Sequence, residues 1–407
     1  MKLLSSAEPV DATPAACSPA PSSAWPYYEE DEIAAVVDVL RSGNVNYWTG
    51  DECREFEREY ADFFGVRLAV ALANGTVALE VALRALGIGA GDEVVVTPRS
   101  FIASASAIVS CGGTPVFCDI DRESGNITAD TIAPVLTSRT RAIITVHLAG
   151  WPCEMDPIID LARAHGLAII EDCAQSHGAK YKGRYAGSFG DIAAWSFCQD
   201  KIISTGGEGG MTTTNNAELW NAMWSLKDHG KSWRAMYHGE QAPGFRWVHE
   251  SFGSNGRMTE MQAAIGRRQL QKLNSWVARR QHNAQFFRNM LSEISALRIP
   301  TPPEHMYHAY YKFYAYIRPE ALKNGWTRDR ILSELLAHDI RCGSGSCSEI
   351  YLEKAFTSSH FEPPSRFPIA QELGETSLML RVHPTLSATE TTGIAEVVRE
   401  VVKNATR

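Results

Sequence analysis

The stretch "WSFCQDKIISTGGEGGM", residues 195–211, decides the fold of this chain, because it joins an apolar strand-like run to a glycine-rich turn through one lysine. Lys201 follows the apolar run "DIAAWSF". The glycines that come after it are Gly206, Gly207, Gly209 and Gly210. A lone lysine before a turn is usually a solvated surface charge. Here the apolar run and the glycines favour a lysine delivered into a cleft where the backbone approaches a ligand closely.

Strand-like and helical patterns alternate along the chain around this stretch. Apolar runs such as "RLAVAL", "DEVVVT" and "LAIIED" are typical of strands that are buried on both faces, and helical patterns separate them. This alternation predicts an α/β fold with a largely parallel sheet covered by helices on both sides. Such sheets bind ligands at the carboxyl ends of their strands, so we expect functional residues where these runs end.

A change of pattern near residue 290 predicts a second domain. A helical pattern covers residues 258–294, and the prolines of "RIPTPPEHM" then interrupt it. The runs "YYKFYAYIRP" and "ATETTGIAEVVREVVK" indicate an α+β unit after that point. We therefore predict a large domain over residues 25–290 and a smaller C-terminal domain over 291–407. Residues 1–24, rich in Pro, Ala and Ser, are predicted to be a disordered lead without a secretory apolar region.

The composition excludes several classes of partner. The net charge is −8, with 39 basic and 47 acidic residues and no long basic block, so we expect no nucleic-acid ligand. Nine cysteines without CxxC spacing are typical of reduced thiols. Cys342 and Cys347 lack a second pair, so we predict no metal site. No apolar stretch approaches the roughly 20 residues of a membrane span, so we expect a soluble, cytoplasmic protein with no membrane partner.

Two further motifs place polar groups at predicted strand ends. In "ANGTVALEVAL" a strand ends at Asn74 and a helix begins with Gly75 and Thr76, whose free amides and hydroxyl suit a phosphate. The same residues also form an ordinary helix cap. In "LAIIEDCAQSHGA" a buried strand ends with Glu171 and Asp172, before Gln175 and His177. A buried acid needs a cation or hydrogen bonds, so a structural ion pair and a ligand site are both open.

The three motifs together fit one cofactor. A desolvated lysine loses its proton more easily and becomes a nucleophile toward carbonyl groups, which a Schiff base with pyridoxal phosphate requires. The phosphate is then assigned to Gly75, Thr76 and Ser196. Asp172 is assigned to the pyridinium nitrogen, and Lys201 to the aldehyde carbon.

The chain resembles the sugar aminotransferases of the DegT/DnrJ/EryC1/StrS family from Trp25 to its C-terminus. The matching motifs are "SGNVNYWTG", "FEREYADFFGV", "NGTVAL", "GDEVVVTPRSFIASA", "TPVFCDID", "VHLAGWPCEMD", "IIEDCAQSHGA", the lysine and glycine stretch, and "GSNGRMTEMQAAIG". This resemblance implies fold type I of the pyridoxal-phosphate enzymes. Its large domain has a mostly parallel seven-stranded sheet flanked by helices, and its smaller C-terminal domain is α+β.

The resemblance also implies roles for individual residues. Lys201 forms the internal aldimine, and Asp172 holds the ring nitrogen of the cofactor. Phe101 corresponds to an aromatic side chain that stacks on the cofactor, and Gln175 to a contact near the ring hydroxyl. Asn255 matches an asparagine that reaches the cofactor phosphate of the neighbouring subunit, which implies a homodimer with shared active sites.

The implied reaction is a ping-pong transfer of an amino group from an amino acid, expected to be glutamate, to a keto sugar. The favoured acceptor is a nucleotide-activated keto-deoxysugar used in lipopolysaccharide O-antigen, capsule or an antibiotic sugar. A keto sugar acid of the ketodeoxyoctonate type is the alternative acceptor. A sugar dehydratase of this family has histidine in place of the lysine, which Lys201 disfavours, and a non-catalytic regulator that binds the cofactor remains a further alternative.

Three departures from the family pattern bear on the acceptor. Gly207 is an additional residue in the turn after Lys201, Arg381 in "LMLRVHP" stands where proline is usual, and the loop 341–356 replaces a more typical histidine-and-proline segment. Arg381, with Arg99 as a lesser candidate, is predicted to bind an anionic part of the acceptor, since guanidinium matches carboxylate or phosphate. A structural ion pair is equally open for Arg381.

Overall fold

The computed structural model describes residues 24–239, 244–359 and 361–407, so the predicted lead lies outside the described residues except for Ala24. The strands are β1 Leu68–Leu72, β2 Glu93–Val96, β3 Thr114–Phe117, β4 Thr140–Val146, β5 Ala168–Asp172, β6 Lys180–Tyr181, β7 Arg184–Tyr185, β8 Ile192–Ser196, β9 Gly210–Thr214, β10 Leu297–Arg298, β11 Met306–Tyr307, β12 Phe313–Ile317 and β13 Ser377–Leu380. The α-helices are α1 Glu30–Ser42, α2 Glu52–Phe64, α3 Gly75–Ala85, α4 Ala103–Ser110, α5 Ala129–Ile132, α6 Met155–His165, α7 Ala217–Lys227, α8 Trp233–Tyr237, α9 Glu260–Leu291, α10 Arg328–Ala337, α11 Lys354–Thr357, α12 Pro368–Thr376 and α13 Ala388–Ala405.

The largest sheet has seven strands in the order β1-β9-β8-β5-β4-β2-β3. The five adjacent strands β3, β2, β4, β5 and β8 pair in parallel, whereas β9 is antiparallel to both β8 and β1. The predicted fold, a mostly parallel seven-stranded sheet in an α/β protein, is therefore confirmed.

Helices cover both faces of this sheet, which explains why its strands are apolar throughout. In β1, Val70 and Leu72 pack with α3, α4 and α7, whereas Ala69 and Ala71 pack with α2 and α9 on the opposite face. A strand with two buried faces has no polar face, and its sequence reads as a continuous apolar run.

A second hydrophobic cluster lies in the C-terminal part of the chain. The antiparallel sheet β10-β12-β13 packs with α10, α13 and the end of α9. This cluster starts within α9, at Ala284 and Phe287. All its residues come from Ala284 onward, which supports our proposal of a domain division near residue 290, with α9 spanning the division. Other C-terminal residues, such as Tyr351 and Leu373, belong to the clusters around the large sheet.

Local signals in the sequence set several helix ends. The Thr259 side chain caps α9, and Gln262 completes a capping box with it. Gly43, in the stretch "SGN" that ends α1, adopts the left-handed conformation with φ of 72°. Among the described residues, every helix is either too short or too polar to span a bilayer.

Candidate active site

A cavity of ≈ 1210 Å³ lies at the carboxyl ends of β1, β2, β5 and β8. This is the edge at which parallel sheets are expected to bind ligands. The structure brings most of the predicted site residues into its wall, and these are Gly75, Thr76, Phe101, Asp172, Gln175, Ser196, Lys201 and Arg381.

The phosphate cradle predicted from the sequence is compact. A Cβ atom on Gly75 would lie 2.6 Å from the Ser196 Cβ and 3.0 Å from its Oγ, so only glycine fits there. Asn74 caps α3 by accepting a hydrogen bond from the Val77 amide at 2.9 Å. The amides of Gly75 and Thr76 have no acceptor in the part of the chain that the structure describes. The two interpretations of this motif are thus compatible: Asn74 supplies the cap, and two amides are left for an anion.

Replacing Gly75 by alanine is expected to weaken pyridoxal phosphate binding at least about tenfold, because the new methyl group displaces Ser196 from the cradle. The measurement is a fluorescence titration of the apoprotein with the cofactor. Gly393→Ala in α13, where a Cβ meets no atom within 4 Å, serves as the control. An unchanged dissociation constant for Gly75→Ala contradicts the predicted cradle.

Asp172 ends β5 with its carboxylate buried and hydrogen-bonded. Its Oδ2 accepts from the Ser104 hydroxyl at 2.7 Å, and its Oδ1 accepts from the Ala174 amide at 3.1 Å. Ser100 contacts Ser104 at 2.9 Å between hydroxyl oxygens. These contacts fix the carboxylate in the cavity wall while it stays 5 % exposed. A fixed, buried anion is the group that a protonated ring nitrogen requires as partner.

Glu171 points to the other face of β5 and has a structural role. Its carboxylate accepts hydrogen bonds from the amides of Gly187, Phe189 and Gly190, each at 2.7 Å. It also contacts His147 Nε2 at 3.0 Å. Burial acts to raise the pKa of Glu171, but the hydrogen bonds from His147 and the amides outweigh it and hold the pKa below its usual value. Of the two alternatives for this motif, the structural role therefore belongs to Glu171, and the role of a ligand site is left for Asp172.

Lys201 lies at the cavity wall, near the Asp200 carboxylate but without a direct ion pair to it. Its Nζ makes no hydrogen bond or ion pair within the described residues, and it lies 5.1 Å from the ring centre of Tyr311. The indole of Trp25 donates a hydrogen bond to the Lys201 carbonyl at 2.9 Å. The Lys201 backbone is therefore held by Trp25, whereas its side-chain amine is left for a ligand.

The glycines after Lys201 serve the protein backbone. Gly206 and Gly207 have φ values of 83° and 123°, a region that side chains disfavour, which accounts for the additional glycine. A Cβ on Gly210 would lie 2.3 Å from the Asn74 carbonyl oxygen, so this glycine lets β9 approach the start of α3. The close approach that the structure shows joins two chain segments that border the site.

Phe101 and Gln175 both line the cavity wall, but Phe101 is exposed and Gln175 is buried. Phe101 is 66 % exposed, which leaves its ring free to cover a ligand. Gln175 is buried, and its side-chain oxygen accepts from the Ala149 amide at 2.8 Å. His177, two residues later, packs between the rings of Trp195 and Phe197, and burial lowers its pKa to about 3. His177 is therefore a neutral packing residue.

The three departures from the family pattern all reach the cavity. Arg381 lines it, as do Glu208 next to Gly207 and the segment 345–347 of the departing loop. Arg381 is exposed and has no ion-pair partner among the described residues.

Arg99 and Asn255 do not line the cavity of their own chain. Arg99 is fully buried, with its guanidinium 5.2 Å from the ring centre of Tyr314, and it donates a hydrogen bond to Ser348. This position gives no support to its predicted role with substrate. Asn255 is exposed beside Asp228, with which it forms an isolated bridge.

The sequence motifs missed four residues of this site. Asp200 accepts hydrogen bonds from the Tyr311 hydroxyl and from Lys312, and Ser104 holds Asp172. A lysine inside the aromatic run "YYKFYAYIRP" was the available signal for Lys312. Ser104 and Tyr311 had no distinctive signal, because small polar and aromatic residues are common in packed structure.

The arrangement fits pyridoxal phosphate on the chemistry of its donors. The glycine cradle with two unpartnered amides suits the phosphate, the buried Asp172 suits a protonated nitrogen, and the unpaired Lys201 amine suits the aldehyde. When bound, this cofactor supplies an electron sink for negative charge at a substrate carbon.

Comparison with known proteins gives a consistent result. The sequence model of the DegT/DnrJ/EryC1/StrS aminotransferase family matches residues 26–399. An aminotransferase from Psychrobacter cryohalolentis has a solved structure with 53 % identity and a TM-score of 0.93, covering 95 % of this chain and 100 % of that one. A UDP-N-acetyl-3-dehydro-alpha-D-glucosamine 3-aminotransferase from Acidithiobacillus ferrooxidans is 36 % identical over 91 % of this chain and 94 % of its own. A GDP-perosamine synthase from Caulobacter vibrioides is 36 % identical over 88 % and 91 %.

Proposed function

Because this chain belongs to the DegT/DnrJ/EryC1/StrS aminotransferase family, we propose that it transfers an amino group from glutamate to a nucleotide-activated keto-deoxysugar. The chain is an aminotransferase, and its cofactor is pyridoxal phosphate. The observation that carries the proposal is the unpaired Lys201 amine in one cavity with the buried Asp172 carboxylate and the glycine cradle.

In this proposal each side chain has one task. Gly75, Thr76 and Ser196 bind the phosphate, Phe101 covers the ring, and Gln175 contacts it near its hydroxyl. Asp172 keeps the ring nitrogen protonated. The hydrogen bonds from Ser104 and the Ala174 amide support this assignment, because they fix the orientation of the carboxylate in the cavity wall.

Lys201 moves a proton in both halves of the reaction. Its amine removes the proton from the α-carbon of the amino donor and returns a proton on the other side of the transferred nitrogen. The position of the amine supports this role, because its Nζ lines the cavity and makes no hydrogen bond or ion pair within the described part of the chain.

The relatives support the choice of acceptor. The names of the similar proteins from Acidithiobacillus and Caulobacter refer to a UDP-linked keto sugar and to a GDP-linked amino sugar. The cavity volume of ≈ 1210 Å³ is ample for a cofactor together with a large second substrate. We place the product in an amino-sugar pathway for surface polysaccharide, and we place the enzyme in the cytoplasm.

A substrate panel tests the proposed function. Nucleotide-linked keto sugars and free keto sugar acids of the ketodeoxyoctonate type are offered with L-glutamate, and formation of 2-oxoglutarate is measured. Turnover with a nucleotide-linked keto sugar is expected. Turnover with the free sugar acids alone identifies the alternative acceptor, and a protein that takes up no pyridoxal phosphate contradicts the aminotransferase proposal.

Arg381→Ala is expected to raise the KM for the acceptor about tenfold, because it removes an exposed guanidinium from the cavity wall. The acceptor concentration is varied at saturating glutamate. Arg341→Ala, which removes an arginine outside the cavity wall, is the control. An unchanged KM for Arg381→Ala removes this residue from acceptor binding.

We also propose a homodimer in which Asn255 reaches the phosphate site of the partner subunit. The segment 244–255 supports this assembly, because Phe245, Trp247 and Phe252 are 77 %, 85 % and 98 % exposed. Phe245 and Trp247 lie against each other, with ring centres 5.4 Å apart, and a patch of grouped exposed apolar side chains of this kind marks an interface. The patch adjoins Asn255 in sequence, so a second copy that covers it also meets Asn255.

Phe252→Asp is expected to weaken the dimer at least about tenfold, because it places a charge in the apolar patch. Sedimentation over a range of protein concentrations measures the dissociation constant. Leu336→Asp alters an apolar side chain that is 63 % exposed on α10, away from the patch, and should leave the dimer intact. Equal dimerisation of both variants contradicts the proposed interface.

A further inference from the structure

Lys312 is a second lysine beside Lys201 that the proposed chemistry does not use. It lies directly before β12, and its side chain is 18 % exposed where it lines the cavity. Its Nζ lies 4.4 Å from the ring centre of Tyr311, and the Nζ of Lys201 lies 5.1 Å from the same ring centre. The two amines therefore border one region of the cavity.

The Lys312 ammonium has unused hydrogen-bonding capacity. Its contact is with Asp200 Oδ2 at 3.5 Å, and that oxygen also accepts a hydrogen bond from the Tyr311 hydroxyl. An ammonium has three N–H donors, and within residues 24–239, 244–359 and 361–407 no second acceptor meets this one. Burial lowers the pKa of Lys312 to about 8, and the nearby Arg280 and Arg381 add to this effect against Asp200. The region carries an excess of positive charge.

The donor amino acid brings the missing negative charge. Its α-carboxylate is two bonds from the nitrogen that replaces the Lys201 amine at the cofactor, so the carboxylate must lie close to that amine. The cationic side chains that line the cavity in the described residues are Lys201, Lys312 and Arg381. Lys201 performs the proton transfer and Arg381 is exposed, which leaves the partly buried Lys312 as the cation within reach.

We propose that Lys312 binds the α-carboxylate of the amino-acid donor and that the Asp200 carboxylate competes with the donor for the Lys312 ammonium. This inference rests on the proposed aminotransferase function. A purely structural Lys312–Asp200 ion pair is the competing explanation, and the two make opposite predictions for Asp200→Asn. If Lys312 binds the donor, loss of Asp200 frees its ammonium for the donor carboxylate. If the ion pair is purely structural, loss of Asp200 disrupts the site.

The test is calorimetric binding of 2-oxoglutarate to the holoenzyme, since this keto acid carries the carboxylates of glutamate but has no amine to react. Lys312→Met is expected to weaken binding at least about tenfold, and Lys312→Arg should restore most of it. Asp200→Asn should bind 2-oxoglutarate at least as tightly as the wild type. Lys323→Met, which changes an exposed lysine outside the cavity wall, should match the wild type.

A second readout separates this inference from the proposed function. L-Glutamate alone bleaches the bound cofactor in a single turnover, and its half-saturating concentration should rise for Lys312→Met by the factor seen in calorimetry. Three results would each overturn the inference. They are unchanged constants for Lys312→Met, equal weakening by Lys312→Met and Asp200→Asn, and a wild type that does not bind 2-oxoglutarate. A wild type that no amino acid bleaches overturns the proposed function itself.

Discussion

Lys201→Ala is expected to lower the rate of amino transfer by roughly 10⁴-fold and to remove the visible absorbance of the lysine-bound cofactor. The variant lacks both the nucleophile and the group that moves the proton, and a positioned acid–base group alone contributes about 10²- to 10⁴-fold. Single-turnover bleaching by L-glutamate measures the first half-reaction, and the absorbance spectrum reports the covalent state independently of turnover.

Lys403→Ala provides the control for this prediction. Lys403 is exposed near the end of α13 and does not line the cavity, so its removal should change neither the spectrum nor the rate. Added amines small enough to enter the cavity should partly restore proton transfer in Lys201→Ala. Retention of the absorbance or of turnover in Lys201→Ala shows that another group is the nucleophile.

Asp172→Asn is expected to lower the rate of the first half-reaction by about 10²- to 10³-fold while the cofactor still binds. The amide has nearly the shape of the carboxylate and can accept one of the two hydrogen bonds that Asp172 accepts, but it carries no charge to stabilise a protonated ring nitrogen. Stopped-flow bleaching gives the rate, and a cofactor titration gives the affinity. A rate within threefold of the wild type contradicts the assignment of Asp172.

Glu171→Gln is the matched comparison, since it makes the same chemical change one residue earlier in β5. Its carbonyl oxygen can still accept hydrogen bonds from the Phe189 and Gly190 amides, but the NH2 group in place of the other oxygen cannot accept from the Gly187 amide. We expect a loss of about 3 kcal/mol in the free energy of unfolding, with a nearly unchanged rate in the protein that remains folded. Denaturant titration of both variants shows whether the two acids divide structure and catalysis as proposed.

Residues at predicted strand ends were the predictable part of the site. Lys201, Asp172 and Gly75 follow apolar runs, and parallel strands bring such ends to one edge of a sheet, where the structure places all three. Lys312 and Tyr311 come from a distant segment that reaches this edge only when the C-terminal part of the chain packs against the large sheet. No local pattern carries that information.

The α/β class, the positions of Gly75, Asp172 and Lys201 at strand ends, and the family followed from the sequence alone, because these depend on short-range periodicity and on motifs that local chemistry constrains. The tertiary structure decided what the neighbouring Glu171 does: adjacent strand residues point to opposite faces, and the Glu171 carboxylate binds backbone amides away from the cavity. It also gave the glycines after Lys201 their roles, because backbone angles and contacts between distant segments arise only when the chain closes on itself. For the same reason it placed Arg99 behind Tyr314 and left Arg381 in the cavity wall.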